Sequence, residues 1–388
     1  MSFSLSDILF IIVIFQLLFT AFFLFTHEKA RRLSNSLLGS LFLAICLNLA
    51  DNFLLIKRFY FSYPSLALWS VWMLLLFGPL LYLYTQAVLF RDFSLAGRKW
   101  LHFLPFIALT LVTEIGWQLE PRPVKLSILD HIYVRNIPAY QYWDTGFIFL
   151  HFFVYITFSL RLIRHFRQTL GDRFSDLQRL NISWLSSTLI FFTIAMIVAA
   201  LNGFMGLTPL ANYFYFVFTI ILLILFVYIN LVILKAMQRP ALFAGIREED
   251  QPPKGEEQRP KGVPKYAGSL LTPEESKTLL HRLQQHMQTT KPYLEPELTL
   301  EELSAQLSLR PKILSQVINE NTGQNFFDFV NRYRIGEAKR MLTDPTDKKI
   351  TVQEILYVVG FNSKSSFNTL FKKYTGVTPS EFKNKRGA

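Results

Sequence analysis

The chain has 388 residues, of which 51% are hydrophobic and only 18% charged, with 38 phenylalanines and a formal net charge of +12. Soluble domains carry roughly 25% charged residues, so this composition argues against a wholly soluble protein and for a membrane class. Cys46 is the single cysteine, which excludes an intrachain disulfide and a thiolate zinc cage as supports of the fold.

Apolar runs of about 18 or more residues can cross a ~30 Å hydrocarbon core as helices. Seven runs qualify, at roughly 8–25, 34–56, 66–90, 101–119, 145–163, 184–205 and 212–234. The fourth is the weakest, because Glu114 and Gln118 interrupt it and Pro105 sits near its start. Orientation follows from Lys and Arg in the connections, which favour the cytoplasmic side. The first, third and fifth connections hold eleven: Lys29, Arg31, Arg32, Arg91, Arg98, Lys99, Arg161, Arg164, Arg167, Arg173 and Arg179. The alternate connections hold five: Lys57, Arg58, Arg122, Lys125 and Arg135. The reading is a multi-pass protein of the cytoplasmic (inner) membrane, N-terminus outside and C-terminus in the cytoplasm. A cleaved signal peptide over 1–25 fits less well, since the basic residues follow the apolar run and no small-residue cleavage site is evident.

Ionisable and polar groups inside spans are costly and usually functional. Asp51, Glu114, His151 and Asn202 fall in the outer halves of their spans, and are expected to line a sensor pocket for a small molecule or envelope signal. The alternative is a hydrated interface within an aromatic belt marked by Trp117 and Trp143. The connection 120–144, with Pro121, Pro123, Pro138, Tyr133, Tyr140 and Tyr142, is the one long exterior segment. His27, His102 and His165 show no metal-ligand spacing. Neither a nucleophile elbow, a phosphate loop nor a kinase signature occurs, so no enzyme and no cofactor are expected.

Residues 238–271 contain Pro240, Pro252, Pro253, Pro260 and Pro264 with mixed charges, a composition expected to form a flexible linker. A lead-in helix is expected within 272–298. It opens with Thr272-Pro273-Glu274-Glu275, a capping hydroxyl, a proline at the first helical position and acids at the positive dipole end. Its stripe Leu279, Leu280, Leu283 and Met287 serves either a dimer seam or packing on the domain that follows.

Residues 299–388 carry 14 basic and 9 acidic side chains. Thr299 and Glu302 form a capping-box pattern, with Leu303, Ala305 and Leu307 on the buried side. After a turn at 308–310, a helix over 311–321 turns Leu314, Val317 and Ile318 inward. Its exposed start would offer Arg310, Lys312, Ser315 and Gln316 to base edges, as the first part of a recognition helix does. Gly323 ends it. A long helix from Phe326 to Leu342 follows, with Phe327, Val330, Tyr333, Ile335, Ala338 and Leu342 mostly inward. The design then repeats: Thr351 caps a helix holding Ile355, Leu356 and Val359, Gly360 breaks it, and Ser363 caps the next. There Lys364, Ser365, Asn368 and Thr369 are the candidate base readers, and Lys372 and Lys373 the candidate phosphate contacts. Gly376 stops that helix, and Pro379 starts a short closing helix with Phe382.

The string Gly360-Phe361-Asn362-Ser363-Lys364-Ser365-Ser366-Phe367, continuing through Phe371-Lys372-Lys373-Tyr374-Thr375-Gly376 to Thr378-Pro379, resembles the C-terminal signature of AraC-family transcription regulators. The resemblance covers about 299–385. It implies two recognition helices in successive major grooves, about 34 Å apart. Thr369 departs from the arginine usual there, and Asn319-Glu320-Asn321 departs from the paired lysines; both changes imply modest intrinsic affinity, offset by dimer binding. The membrane half is similar to the seven-helix sensors of membrane-bound AraC-type regulators in span count and position only.

The expected protein is all-α: a seven-helix transmembrane sensor (1–237), a linker (238–271), a lead-in helix (272–298) and a double helix-turn-helix domain (299–388). The expected function is a membrane-anchored, sequence-specific transcription regulator. Its expected partners are double-stranded promoter DNA, the lipid bilayer, a second copy in a homodimer, RNA polymerase and an unidentified signal. The alternative is a transporter or channel with a regulatory DNA-binding tail.

Overall fold

A computed structural model describes residues 4–26, 32–90, 93–134, 141–176, 182–205, 208, 210, 213–238, 271–343 and 350–384. Of the linker expected at 238–271, residues 239–270 lie outside these residues, as do Lys29, Arg31, Arg91, Arg135 and Arg179 of the connections, and Pro138 and Tyr140. Every regular element described is helical. The chain divides into two compact units, 1–163 with 181–251, and 164–180 with 252–388.

The first unit holds α1 (Leu5–Thr26), α2 (Arg32–Ile56), α3 (Phe59–Ser62), α4 (Phe77–Leu89), α5 (Leu104–Leu119) and α6 (Arg122–Tyr133). It also holds most of α7 (Gln141–Gly171), then α8 (Ile182–Phe204) and α9 (Phe214–Gln238). α1 packs against α2 and α9, and α8 packs against α9. Among the described residues, six helices are long and apolar enough to cross a membrane. They carry outward-facing side chains such as Phe15 (66% exposed), Phe22 (64%), Val112 (69%) and Leu201 (68%), an apolar surface far larger than water-facing proteins present.

The run at 66–90 is not one helix. Its apolar helical part is the 17-residue Met73–Leu89, a 3-10 turn leading into α4. The preceding residues fold instead onto α2 and α5. Ser70 Oγ donates to the Asp51 carboxylate at 2.6 Å, Trp72 Nε1 to Thr113 Oγ1 at 2.7 Å, and Trp117 Nε1 to the Pro64 carbonyl at 2.9 Å. Leu68 takes a φ of 69°, which a continuous helix forbids. Tertiary hydrogen bonds have overridden apolar helix propensity here.

The second unit holds α10 (Pro273–Thr289), α11 (Leu300–Gln306), α12 (Pro311–Thr322), α13 (Phe326–Thr343), α14 (Val352–Val358), α15 (Lys364–Thr375) and α16 (Pro379–Asn384). Capping boxes start α10, α11 and α14 at Thr272, Thr299 and Thr351. Hydrogen bonds from Thr351 hold the Glu354 carboxyl below its usual range. One core gathers Leu283 and Met287 of α10 with Leu303, Leu314, Ile318, Phe326 and Val330. The lead-in stripe is therefore a packing face for the domain. A second core joins Ile335, Ala338 and Leu342 of α13 to Ile355, Leu356, Phe367 and Phe371. α13 thus contributes to both.

Candidate nucleic-acid interface

Two helix pairs, α11/α12 and α14/α15, are built alike. In the first turn Ser308 N donates to Ala305 O at 3.0 Å and Leu309 N to Ser304 O at 2.9 Å. In the second, Gly360 N donates to Tyr357 O at 3.1 Å and Phe361 N to Leu356 O at 2.9 Å. Both turn residues are left-handed, Ser308 at φ 55° and Gly360 at φ 87°. Each second helix ends on a left-handed glycine, Gly323 or Gly376, satisfying the last-turn carbonyls. The two turns share one hydrogen-bond pattern.

α15 has a clean division of faces. Phe367, Leu370 and Phe371 are buried. Lys364, Ser365, Thr369 and Lys372 are exposed and Asn368 partly so, a single stripe at helical spacing. Ser363 caps the helix by accepting from Ser366 N at 3.2 Å. Five polar or basic side chains therefore run from the positive dipole end along one open face, a surface suited to phosphate and base edges.

α12 differs from expectation. Arg310 and Lys312 are exposed, but Ser315 and Gln316 are buried, at 8% and 5% exposure. Gln316 Nε2 donates to Glu320 Oε1 at 2.9 Å. The cause is crowding: α12 packs against α10, α11 and α13 together, which buries its middle and leaves its first turn and the end at Glu320 and Asn321 open. Seen from the sequence, α10 could not be placed on α12, so the buried face was underestimated.

Lys373 is also placed unexpectedly. Its Nζ meets the Asp328 carboxylate at 2.7 Å, and the Tyr374 hydroxyl donates to the same oxygen at 2.9 Å. Asp328 thereby ties α15 to the start of α13, and burial with this hydrogen bond pushes the Tyr374 phenol up. Lys373 is exposed, but part of its charge is engaged by Asp328.

Sequence reasoning missed Asn331 and Arg334 of α13, which are 0% and 1% exposed. The signal was there: both fall on the inward stripe with Val330, Ile335 and Ala338. Arg334 donates to the carbonyls of Tyr293 (2.7 Å), Glu295 (2.6 Å) and Pro296 (3.2 Å). Burial lowers its pKa to about 10, against the pull of Asp176 and Glu295, so it stays cationic at neutral pH. The segment these bonds hold, 293–296, is the one that presses on the Gly360 turn.

In the first unit, Asp51 accepts hydrogen bonds from Tyr60 at 2.5 Å and Ser70 at 2.6 Å, and Trp69 Nε1 donates to Tyr60 at 3.0 Å. Glu114 Oε1, both His151 ring nitrogens and Asn202 Oδ1 are buried without hydrogen-bond partners among the described residues. The His151 ring stands 4.9 Å from that of Tyr155, whose hydroxyl bonds His102 Nδ1 at 2.8 Å. No hydrogen bond among the described residues brings Asp51, Glu114, His151 and Asn202 together.

Residues 303–385 match the family model described as a helix-turn-helix domain. The chain is similar to an uncharacterized transcriptional regulatory protein, YesN of Bacillus subtilis (strain 168), with 37% identity over 82 residues, covering 21% of this chain and 22% of that protein. It is similar to an uncharacterized HTH-type transcriptional regulator of the same organism, YtdP, with 32% identity over 92 residues, covering 24% of this chain and 12% of that protein. The chain thus spans under a quarter of either relative's length. Among solved structures, the C-terminal domain of AraT, a response regulator from Geobacillus stearothermophilus, is 29% identical. That comparison covers 30% of this chain and 89% of the other, at a TM-score of 0.25.

Proposed function

We propose that this chain is a membrane-anchored transcription regulator of the AraC type, which reads promoter DNA with two helix-turn-helix units in its C-terminal helix-turn-helix domain. The observation that carries this is the open stripe of Lys364, Ser365, Asn368, Thr369 and Lys372 on α15. It is supported by the like-built α11/α12 pair, whose open first turn offers Arg310 and Lys312. Ser315 and Gln316 become packing residues in this reading. DNA binding is the function of α12 and α15, with α13 setting their spacing.

Membrane anchoring is supported by the six long apolar helices. Met73–Leu89 serves as a seventh crossing: 17 residues lie at the lower limit of a span. With the basic connections inside, α9 delivers the DNA-reading unit to the cytoplasm. A second copy bound side by side on DNA, and RNA polymerase beyond it, complete the partners of this reading. Full-length protein in nanodiscs, put through a random-DNA binding selection, is expected to recover a defined motif; recovery of unselected sequence would sink the regulator. A cytoplasm-dependent reporter fused after Gln238 is expected to be active, and one inserted within Val124–Ile137 silent. Reversed activities would invert the topology and strand the DNA reader outside.

The sensor reading rests on buried polar atoms that lack partners, Glu114 Oε1 and the His151 ring foremost. Such groups cost a few kcal/mol each in a bilayer unless solvated, paired or protonated, so a ligand that supplies the missing hydrogen bonds gains that energy. Glu114→Gln is expected to alter promoter output at unchanged membrane abundance. Unaltered output in both Glu114→Gln and His151→Ala would leave these groups as hydrated interface residues.

A further inference from the structure

Residues 164–180 belong to the same compact unit as the DNA-reading domain. α7 runs unbroken from Gln141 to Gly171, and the chain leaves it through Asp172–Asp176. Phe174 pairs with Thr299 in an antiparallel bridge: Leu300 N donates to Arg173 O at 2.9 Å, and Ser175 N to Leu298 O at 3.3 Å. Ser175 Oγ donates to Leu298 O at 2.7 Å. The Ser175 carbonyl accepts from Asn331 Nδ2 at 2.9 Å and from Arg334 Nη1 at 3.4 Å, and Arg334 Nη2 reaches Ser175 Oγ at 3.1 Å. At the edges Arg173 faces Glu301 at 3.7 Å, and Asn362 Nδ2 donates to Asp176 Oδ2 at 3.2 Å.

Residues 173–176 touch all three parts of the reader: the start of α11, the buried stripe of α13, and the turn before α15. Ser175 is 2% exposed and Phe174 8%, so this is an interior contact. A Cβ on Gly171 would stand 3.0 Å from Asn325 Nδ2, so the helix end itself comes close to the residues that open α13. Arg334 is the telling group. A guanidinium has five donors, and a buried one that loses acceptors suffers the desolvation of an unsatisfied charge. Two of its acceptors come from Ser175, more than 150 residues away in sequence.

We infer that residues 171–176 form an intramolecular strap that holds the two helix-turn-helix units in one binding arrangement, so that α7, and not the 239–270 connection, carries the membrane signal to DNA. This rests on the regulator reading above. A helix that ends in a hydrogen-bonded bridge transmits displacement directly. A shift of α7 pulls Ser175 from Arg334 and frees the two pairs to change their spacing on the duplex.

The test uses full-length protein in nanodiscs and the DNA motif that the wild-type chain selects. Ser175→Ala, and separately Arg173→Ala with Asp176→Ala, are expected to lower affinity for that motif about tenfold, the effect of withdrawing buried or charged hydrogen bonds. Affinity for random DNA is expected to stay near wild type, because the phosphate contacts remain. The double variant changes edge residues, so it keeps the test open if Ser175→Ala fails to fold. In a Cys46→Ala background, Phe174→Cys with Thr299→Cys is expected to crosslink on oxidation, since a non-hydrogen-bonded antiparallel pair brings Cα atoms to about 4.5 Å. The crosslinked protein should still bind its motif. Unchanged or higher motif affinity in both alanine variants, or no crosslink, overturns the strap. A wild-type chain without any selected motif overturns the regulator reading instead.

Discussion

Gly360→Ala is expected to destabilise the DNA-reading unit by roughly 3 kcal/mol or more, among the largest effects of any single methyl in this chain. Two independent costs add. Gly360 holds φ at 87°, where an L-residue costs about 1–2 kcal/mol. The new Cβ would also stand 2.7 Å from the Leu294 carbonyl oxygen and 2.8 Å from that of Tyr293. Those oxygens are backbone, and the Tyr293 carbonyl is already held by Arg334 at 2.7 Å, so neither can yield cheaply. Two other glycines calibrate the claim. Gly323 has φ 66° but open space where its Cβ would be, so Gly323→Ala is expected to cost only about 1 kcal/mol. Gly336 lies exposed on α13 with nothing near its Cβ position, so Gly336→Ala is expected to stabilise by about 0.5–1 kcal/mol. Thermal unfolding of the three full-length variants reads the order. For a domain near 100 residues, 3 kcal/mol corresponds to a Tm loss of roughly 12 °C or more. A Gly360→Ala melt within a few degrees of wild type would show that the turn is not pinned between the 293–294 carbonyls and α14.

The same residues mark how far the sequence could be read. The helices of the second unit were legible because their ends are chemically marked: Thr272, Thr299 and Thr351 cap with Glu275, Glu302 and Glu354, and Gly323 and Gly376 close them. Apolar period gave the inward faces of α12 and α13, and the polar stripe gave the open face of α15. What stayed hidden depends on partners distant in sequence. Gln316 reads as an open base reader until α10 is laid on α12. Lys373 reads as a phosphate contact until Asp328, 45 residues away, is found beside it. Arg334 falls on the inward stripe of α13, but the carbonyls that receive it, at 293–296 and Ser175, lie far off in sequence. In the first unit, apolar run length marked the helices, but hydropathy alone could not show that 64–72 folds back to serve Asp51, Thr113 and Trp117. Nor could it show that the end of α7 joins the other unit, since Arg164, Arg167 and Arg173 read simply as membrane-flanking charge.

Asn368→Ala and Lys372→Ala are expected to fail in different ways on DNA. Asn368 sits mid-stripe on α15 with partial exposure, and in the proposed reading its amide is the base reader, able to pair in bidentate fashion with adenine. Its loss should relax preference at one or two base pairs by roughly 1–3 kcal/mol while leaving the salt dependence unchanged. Lys372 stands a turn further along the same face, and in the proposed reading it is the phosphate contact, a point charge indifferent to the base. Its loss should weaken selected and random DNA alike and flatten the slope of log K against log salt by about one unit. Lys373→Ala should flatten it by less, because Asp328 at 2.7 Å already takes part of that charge. Gln316→Ala should leave base preference intact and lower stability instead, since its side chain is buried on the packed face of α12 and its amide is turned to Glu320 at the rim. A salt titration of full-length protein on the selected motif and on random DNA separates the four. Equal behaviour of Asn368→Ala and Lys372→Ala would mean that α15 does not lie along the groove, and a loss of base preference in Gln316→Ala would mean that α12 opens on binding.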